Sequence, residues 1–128
     1  MKPKREQLSH KREIQSFLCY EVSVASFEFF CHYHPEYELT LILKGKGKRL
    51  VGDSYENFSE GDLVLLGPNL PHTWISEKNQ KENCRAIVIQ FTQAFTEQLS
   101  QFPEMGAFEK LFAKAERGLQ FNIVKNKD

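Results

Sequence analysis

The sequence predicts a mainly β domain, a barrel or sandwich of short strands followed by C-terminal helices. Between residues 17 and 91, short apolar runs alternate with Gly, Asp, Asn and Ser, which is typical of β-sandwiches and barrels. After residue 91 the apolar residues fall at the spacing of amphipathic helices. A chain of 128 residues with 41% hydrophobic residues and eleven phenylalanines suits one domain with one core.

The strands follow from the apolar runs and the turns between them. We predict strands, in chain order, over 16–22, 26–31, 37–44, 48–51, 55–58, 63–66, 73–76 and 84–91. The Gly52-Asp53 pair is a hairpin signal. The stretch GPNLPH (67–72) cannot be regular strand, because its two prolines remove two backbone donors.

The C-terminal part predicts two helices separated by Pro103. The second has its apolar residues at i, i+3, i+4 and i+7, and Gly118 fits its C-terminal cap. These apolar residues are Phe108, Leu111, Phe112, Ala115 and Leu119. We therefore divide the chain into a basic flexible tail (1–15), a β-barrel (16–92) and C-terminal helices (93–124), which pack on the barrel or mediate dimerisation.

Charge and composition exclude several classes of protein. The 17 basic residues balance the 17 acidic ones, but five Lys or Arg fall within residues 1–12, so the body is net acidic. A nucleic-acid-binding domain normally has a basic face, and this body does not predict one. No apolar run approaches the roughly 20 residues of a membrane span, and no apolar segment follows the basic start as in a signal peptide.

The cysteines indicate a reducing cytoplasm. Cys19, Cys31 and Cys84 are odd in number and widely spaced, without a CxxC pair. Cys31 precedes His32 and is either a thiolate ligand or a small buried side chain, and we favour the buried side chain.

The stretch CHYHPEYE (31–38) holds the candidate site. If it is one extended segment, His32, His34 and Glu38 point to the same face. First-row divalent metals bind such nitrogen and oxygen ligands at about 2.0–2.2 Å. His72, fixed after the Pro-rich turn, is the natural fourth ligand, whereas His10 lies in the tail. Three imidazoles and one carboxylate suit Zn, Ni, Fe, Mn or Cu; the alternative is a metal-free polar lining that hydrogen-bonds an effector.

Three further residues are candidates for ligand binding. Glu36 shares parity with the metal ligands and lies at the pocket rim or is simply an exposed acid, and we favour the exposed acid. Thr40 continues the His face into the barrel interior. Trp74 shares parity with His72 and stacks on a sugar ring or fills the barrel, and we favour filling. The pattern assigns no catalytic residue.

Two spaced motifs resemble those of the cupin family. His32-x-His34-x3-Glu38-x6-Gly45 matches the first cupin motif, and Gly61-x5-Gly67-x-Asn69-x2-His72 resembles the second. Cupins usually have Pro and Gly at the positions of Gly67 and Asn69, and Asn where this chain has Ser76. Asn tolerates the left-handed conformation that Gly would supply, so the turn survives. The resemblance implies a double-stranded β-helix, the jelly-roll-like cupin barrel.

Longer stretches resemble the N-terminal sensor domain of AraC-type bacterial transcription regulators. These are HPEYELTLILKGKGKRLVGD, GDLVLLGPNLPHTW and AFEKLFAKAERGLQF, and the resemblance covers roughly residues 17 to 124. It implies a dimeric domain that binds a small, possibly sugar-like effector, with DNA bound only by a C-terminal helix-turn-helix domain that this chain lacks. We expect an excised sensor domain or a natural single-domain relative. The alternative is a small metal-dependent cupin enzyme of dioxygenase or isomerase type.

Overall fold

The computed structural model describes residues 4–5, 16–78 and 83–121. The strands within these ranges are β1 (Lys4–Arg5), β2 (Phe17–Val24), β3 (His32–Tyr33), β4 (Tyr37–Lys44), β5 (Gly47–Val51), β6 (Ser54–Phe58), β7 (Leu63–Leu66), β8 (His72–Ser76), β9 (Cys84–Phe91) and β10 (Leu119–Phe121). The α-helices there are α1 (Gln93–Leu99) and α2 (Gly106–Lys114), and short 3-10 turns cover Pro103–Met105 and Ala115–Arg117. No helix in the described ranges has the length and apolar character needed to cross a membrane.

The strands form two five-stranded sheets that pack face to face. The first has the order β1-β3-β8-β5-β6 and the second β10-β7-β4-β9-β2. All strand pairs are antiparallel except β1 with β3. The mainly β fold with two C-terminal helices is therefore confirmed.

Alternation along β4 separates the interior of the sandwich from its outer face. Glu38, Thr40 and Ile42 are buried, whereas Tyr37 and Leu39 point outward and line the space under the helices. Two apolar clusters fill the interior and both contact the ring of Trp74. One consists of Ile42, Phe58 and Ala86 with Phe27, and the other of Val51, Val64 and Leu66 with Leu70.

The strand prediction for residues 26–31 is wrong. This segment lies beside β8 and is joined to it by one backbone hydrogen bond, from the Ser76 amide to the Phe27 carbonyl at 2.9 Å, and by two hydrogen bonds to side-chain hydroxyls. The Phe27 amide donates to Oγ of Ser76 at 2.6 Å, and the Phe30 amide donates to Oγ1 of Thr73 at 3.0 Å.

The helical prediction for Leu119 is also wrong. The helical segment ends at Gly118, whose φ of +84° is left-handed. Leu119 then starts β10, which pairs with β7. The prediction was wrong because an apolar residue at this spacing fits one face of a helix and one face of a strand equally well. Of the predicted tail, Lys4–Arg5 pairs in parallel with His32–Tyr33, and residues 1–3, 6–15 and 122–124 of the predicted segments lie outside the described residues.

A buried ion pair joins the two sheets at one edge of the sandwich. Nη1 of Arg49 on β5 donates to Asp62, which precedes β7, and both side chains are only 5% exposed. Asp62 also accepts a hydrogen bond from Gln120 on β10 at 2.9 Å. The exposed Glu56 is a second, weaker partner of Arg49 at 3.3 Å. Removing Asp62 would leave the positive charge of the buried Arg49 guanidinium paired only with the exposed Glu56.

We expect Asp62→Ala to lower the free energy of unfolding by about 3 kcal/mol, the lower end of the range for breaking a buried pair, because Glu56 remains. Urea-induced unfolding measures this loss. Glu21→Ala is the control, because its pair with Arg85 (2.7 Å) is about half exposed and should cost within about 1 kcal/mol. Equal losses in the two variants would show that the Arg49–Asp62 pair has no special role.

Candidate metal centre

The four predicted metal ligands converge in the structure. Each of His32, His34, Glu38 and His72 offers one ligand atom, and these four atoms all lie within 4.8 Å of one another. His34, His72 and Glu38 are at most 4% exposed, and His32 is half-buried. Ligands at 2.0–2.2 Å from one ion are at most about 4.4 Å apart, so the cluster is close to the size that a single metal ion requires.

The convergence does not arise from one extended segment, as the sequence reading assumed. His32 lies on β3 of the first sheet, directly opposite His72 on β8, whereas Glu38 lies on β4 of the second sheet. The chain bends at Pro35 and Glu36 and crosses between the sheets. The Asn69 amide fixes this crossing by donating to the carbonyl of His34 at 2.7 Å, and Asn69 itself is left-handed (φ +61°), as the motif requires.

All three histidines are oriented in the same way. Nδ1 of His32 lies 2.7 Å from the carbonyl oxygen of Phe30, Nδ1 of His34 lies 3.1 Å from that of Glu36, and Nδ1 of His72 lies 2.7 Å from that of Leu70. A carbonyl only accepts, so Nδ1 must carry the proton and donate. A neutral imidazole then presents its lone pair at Nε2, the arrangement found in histidines that bind metals.

The carboxylate of Glu38 lies at the centre of the cluster. Its Oε1 is 3.0 Å from Nε2 of His34 and 3.6 Å from Nε2 of His72, and its Oε2 accepts from Oγ1 of Thr40 at 2.7 Å. Burial alone would raise the pKa of Glu38, but its electrostatic interactions with His72 and His34 hold this pKa well below its usual range. Glu38 is therefore ionised at neutral pH.

The donor set fits a cation. With its proton on Nδ1, neutral His34 would point a lone pair at a carboxylate oxygen 3.0 Å away, and two acceptors at this distance repel each other. Nε2 of His72 is buried and has no hydrogen-bond partner among the described residues. Extra protons or a divalent metal ion relieve both problems, and a metal ion does so without adding charge to the imidazoles.

The other predicted residues take different places around this cluster. Glu36 is buried at 8% exposure, so the expectation of an exposed acid is wrong, and its Oε1 lies 3.8 Å from Nδ1 of His34. Thr40 holds Glu38, and Trp74 packs into the core beside His72, with ring centroids 5.8 Å apart. Cys31 is buried outside the ligand group, and burial raises the pKa of its thiol, which supports the interpretation of a small buried side chain.

The sequence reading missed Gln90. It lies opposite Glu38 on β9, and its Nε2 donates to Oε1 of Glu38 at 3.1 Å and to the hydroxyl of Tyr20 at 3.3 Å. One signal was present, because Gln90 is the polar member of the inward-facing set that also contains Ala86 and Val88. A polar residue at an inward position of a buried strand indicates a polar partner.

Comparison with known proteins supports this architecture. The family model described as the AraC-like ligand binding domain matches residues 15–117. No curated protein sequence matches the chain significantly.

Solved structures with the same fold include ToxT and a cupin. ToxT from Vibrio cholerae has 17% identity and a TM-score of 0.62, over 86% of this chain and 43% of ToxT. Its complex with an unsaturated fatty acid has 18% identity and a TM-score of 0.52, over 69% of this chain and 34% of that one. A cupin 2 conserved barrel domain protein from Salinispora arenicola has 20% identity and a TM-score of 0.53, over 68% and 72%. The chain spans less than half the length of ToxT, and the predicted cupin fold is confirmed.

Proposed function

Because the chain belongs to the AraC-like ligand-binding domains, we propose that it is the effector-sensing domain of a bacterial transcription regulator. A small molecule binds in the barrel and shifts the domain between two states, to the extent that it binds one state more tightly than the other. A helix-turn-helix domain outside this chain contacts DNA, and the regulator acts in the cytoplasm. The net acidic body of the chain supports this division of labour.

The sensing site contains one divalent transition metal ion, held by His32, His34, Glu38 and His72. The observation that carries this proposal is the shared orientation of the three histidines, whose Nδ1 atoms donate to backbone carbonyls. Nε2 of His34 and Nε2 of His72 then lie 3.0 and 3.6 Å from the buried carboxylate of Glu38. Zn, Ni, Fe and Mn all suit this ligand set. A bound ion of this kind supplies a Lewis-acidic position for an oxygen atom of a ligand, and the chain fixes where that position lies.

Metal binding is tested by elemental analysis of protein purified without chelators, followed by titration with Zn²⁺. We expect one equivalent of metal, and His72→Ala should weaken binding at least 100-fold because it removes a buried ligand. His10→Ala is the matched control, since His10 is not among the four ligands, and should bind as the unaltered protein does. Absence of stoichiometric metal, both as purified and after addition of Zn²⁺, would refute the metal site.

Thr40 should tune the affinity for the metal without binding it. Thr40→Val keeps the shape of the side chain but removes the 2.7 Å hydrogen bond that orients Oε2 of Glu38. Loss of such an outer partner costs about 10- to 100-fold in metal affinity, measured by competition with a chromogenic chelator. Thr40→Ser restores the hydroxyl and should restore most of the affinity. An unchanged affinity in Thr40→Val would show that this hydrogen bond does not position the ligand.

The effector lies beside the metal ligands, near Glu36, Thr40 and Trp74. A sugar-like effector would use the polar cluster for its hydroxyl groups and the face of Trp74 for its ring. One ToxT structure contains an unsaturated fatty acid, but at 18% identity the likeness concerns the fold and does not transfer that ligand. Thermal-shift screening of metabolites with and without added metal identifies the effector class, because a ligand raises the apparent stability by mass action.

The protein forms a homodimer through the helical side of the second sheet. An apolar groove of about 570 Å³ lies between this sheet and the helices, and every lining residue is apolar. Phe17 and Phe108, at two positions of this lining, are 53% and 44% exposed, and the nearby Phe102 is 56% exposed. Clustered exposed aromatic residues of this kind mark interaction surfaces, and a second copy that covers them would remove them from water.

Phe108→Asp should weaken the dimer about 30-fold, as expected when an aromatic anchor worth about 2 kcal/mol is lost. Sedimentation equilibrium at micromolar concentration measures the dissociation constant. Tyr55→Asp is the control, because Tyr55 is 60% exposed on β6 of the other sheet. A monomeric mass for the unaltered protein would refute dimerisation by this chain.

A small metal-dependent cupin enzyme is the second candidate function, because the complete ligand set could equally activate water or oxygen. Glu36 is the candidate acid or base, but its carboxylate lies beside Nδ1 of His34 rather than Nε2. This position suits a residue that orients the ligand. The reading frame after codon 128 separates the two candidates: two helix-turn-helix patterns there support the regulator, and a stop codon supports the enzyme or a stand-alone sensor.

A further inference from the structure

The indole N–H of Trp74 is a buried donor with no acceptor. Nε1 is shielded from water, and none of the described residues accepts a hydrogen bond from it. The ring packs against the two apolar clusters of the interior, which offer no acceptor. Buried polar groups are nearly always paired in native proteins, so this N–H marks a position where a partner binds.

A second unpaired atom lies beside it. Nε2 of His72 is buried without a hydrogen-bond partner in the described structure. His72 and Trp74 are two residues apart on β8 and share one face of the strand, and their rings make an edge contact with centroids 5.8 Å apart. Nε2 offers a lone pair and the indole offers a proton, so a cation satisfies the first and an oxygen acceptor the second.

The charge balance indicates which acceptor fits. A divalent ion held by three neutral imidazoles and Glu38 leaves one positive charge within the ligand set, and the buried Glu36 offsets this charge only from the far nitrogen of His34, away from the ligand atoms. The buried cation of the neighbouring strand, Arg49, is already paired with Asp62 and Glu56, so the positive charge available to a ligand lies at the histidine cluster. An anionic oxygen acceptor is favoured there over a neutral hydroxyl.

We propose that the effector is a carboxylic acid, bound as the carboxylate between the histidine cluster and Trp74. One carboxylate oxygen faces the cation held by the cluster, and the other accepts the hydrogen bond from Nε1 of Trp74. The cation pairs with Nε2 of His72, and the carboxylate supplies one oxygen to the cation and the other to the indole N–H. This proposal rests on the proposed metal site, and it makes Trp74 an effector-binding residue rather than only a core residue.

Trp74 is the only tryptophan in the sequence, so its fluorescence reports on this position alone. Zn²⁺-loaded protein is titrated with acetate, acetamide and glycerol, and binding is followed by tryptophan fluorescence and by calorimetry. We expect acetate to change the fluorescence and to bind at least tenfold more tightly than acetamide or glycerol. Trp74→Phe keeps the aromatic packing but removes the N–H and should weaken acetate binding roughly 10- to 100-fold, the loss expected for a hydrogen bond to a charged group.

The controls separate this proposal from the metal site. Trp74→Phe should bind Zn²⁺ like the unaltered protein, and Tyr55→Phe, which alters an exposed aromatic residue, should bind acetate normally. Equal acetate affinity in Trp74→Phe and the unaltered protein, or preference for glycerol, overturns the carboxylate proposal while leaving the metal site intact. If no Zn²⁺ binds, only the proposed metal site is refuted. The role of Trp74 is then decided by comparing the acetate affinity of the metal-free protein with that of metal-free Trp74→Phe.

Discussion

The buried negative charge of Glu38 is the constraint around which this structure is organised. A carboxylate that is 4% exposed is costly unless its oxygens are paired, and this one is surrounded by partners from three other strands or connections. Gln90 and Thr40 donate to it, while His34 and His72 face it through Nε2. Since the imidazole protons are donated to backbone carbonyls, the histidines cannot complete this pairing while they remain neutral, and a cation bound among them would complete it.

The fold brings the side chains that surround Glu38 from both sheets to one point. His32 and His72 face each other across β3 and β8, and Glu38 faces Gln90 across β4 and β9. The bend after His34 carries the chain from the first sheet to the second, so residues close in sequence approach the cluster from opposite sides. The same sandwich is closed elsewhere by apolar clusters and by the Arg49–Asp62 pair, which keeps the two sheets in fixed relation.

The sequence predicted which polar side chains converge better than it predicted what surrounds them, for physical reasons. The spacing of His32, His34 and Glu38 is a local feature of the sequence. Most strands can likewise be predicted locally, from their apolar runs and the turn residues between them. The partners of Glu38 and Arg49 depend on which strands become neighbours, and local periodicity carries no information about strand neighbours. The roles of Gln90 and Asp62 were therefore not predicted from the sequence. The segment at 26–31 is bonded to β8 partly through the hydroxyls of Ser76 and Thr73, and local periodicity does not reveal these partners either.

The turn at residues 67–72 connects the cluster to the helices. At one end, the Gly67 amide donates to the carbonyl of Ala115 at 2.7 Å, and a Cβ at Gly67 would lie 2.7 Å from that oxygen, so only glycine allows this approach. At the other end, Asn69 holds the carbonyl of His34, and the carbonyl of Leu70 holds Nδ1 of His72. A ligand that moves either histidine therefore pulls on a segment bonded directly to the end of the helical region. Coupling between two sites needs contiguous contacts and an element with two arrangements. The turn at residues 67–72 supplies the contacts. The helical face proposed for dimerisation would be the element with two arrangements, covered by a second copy or uncovered, and the effector would favour one of them.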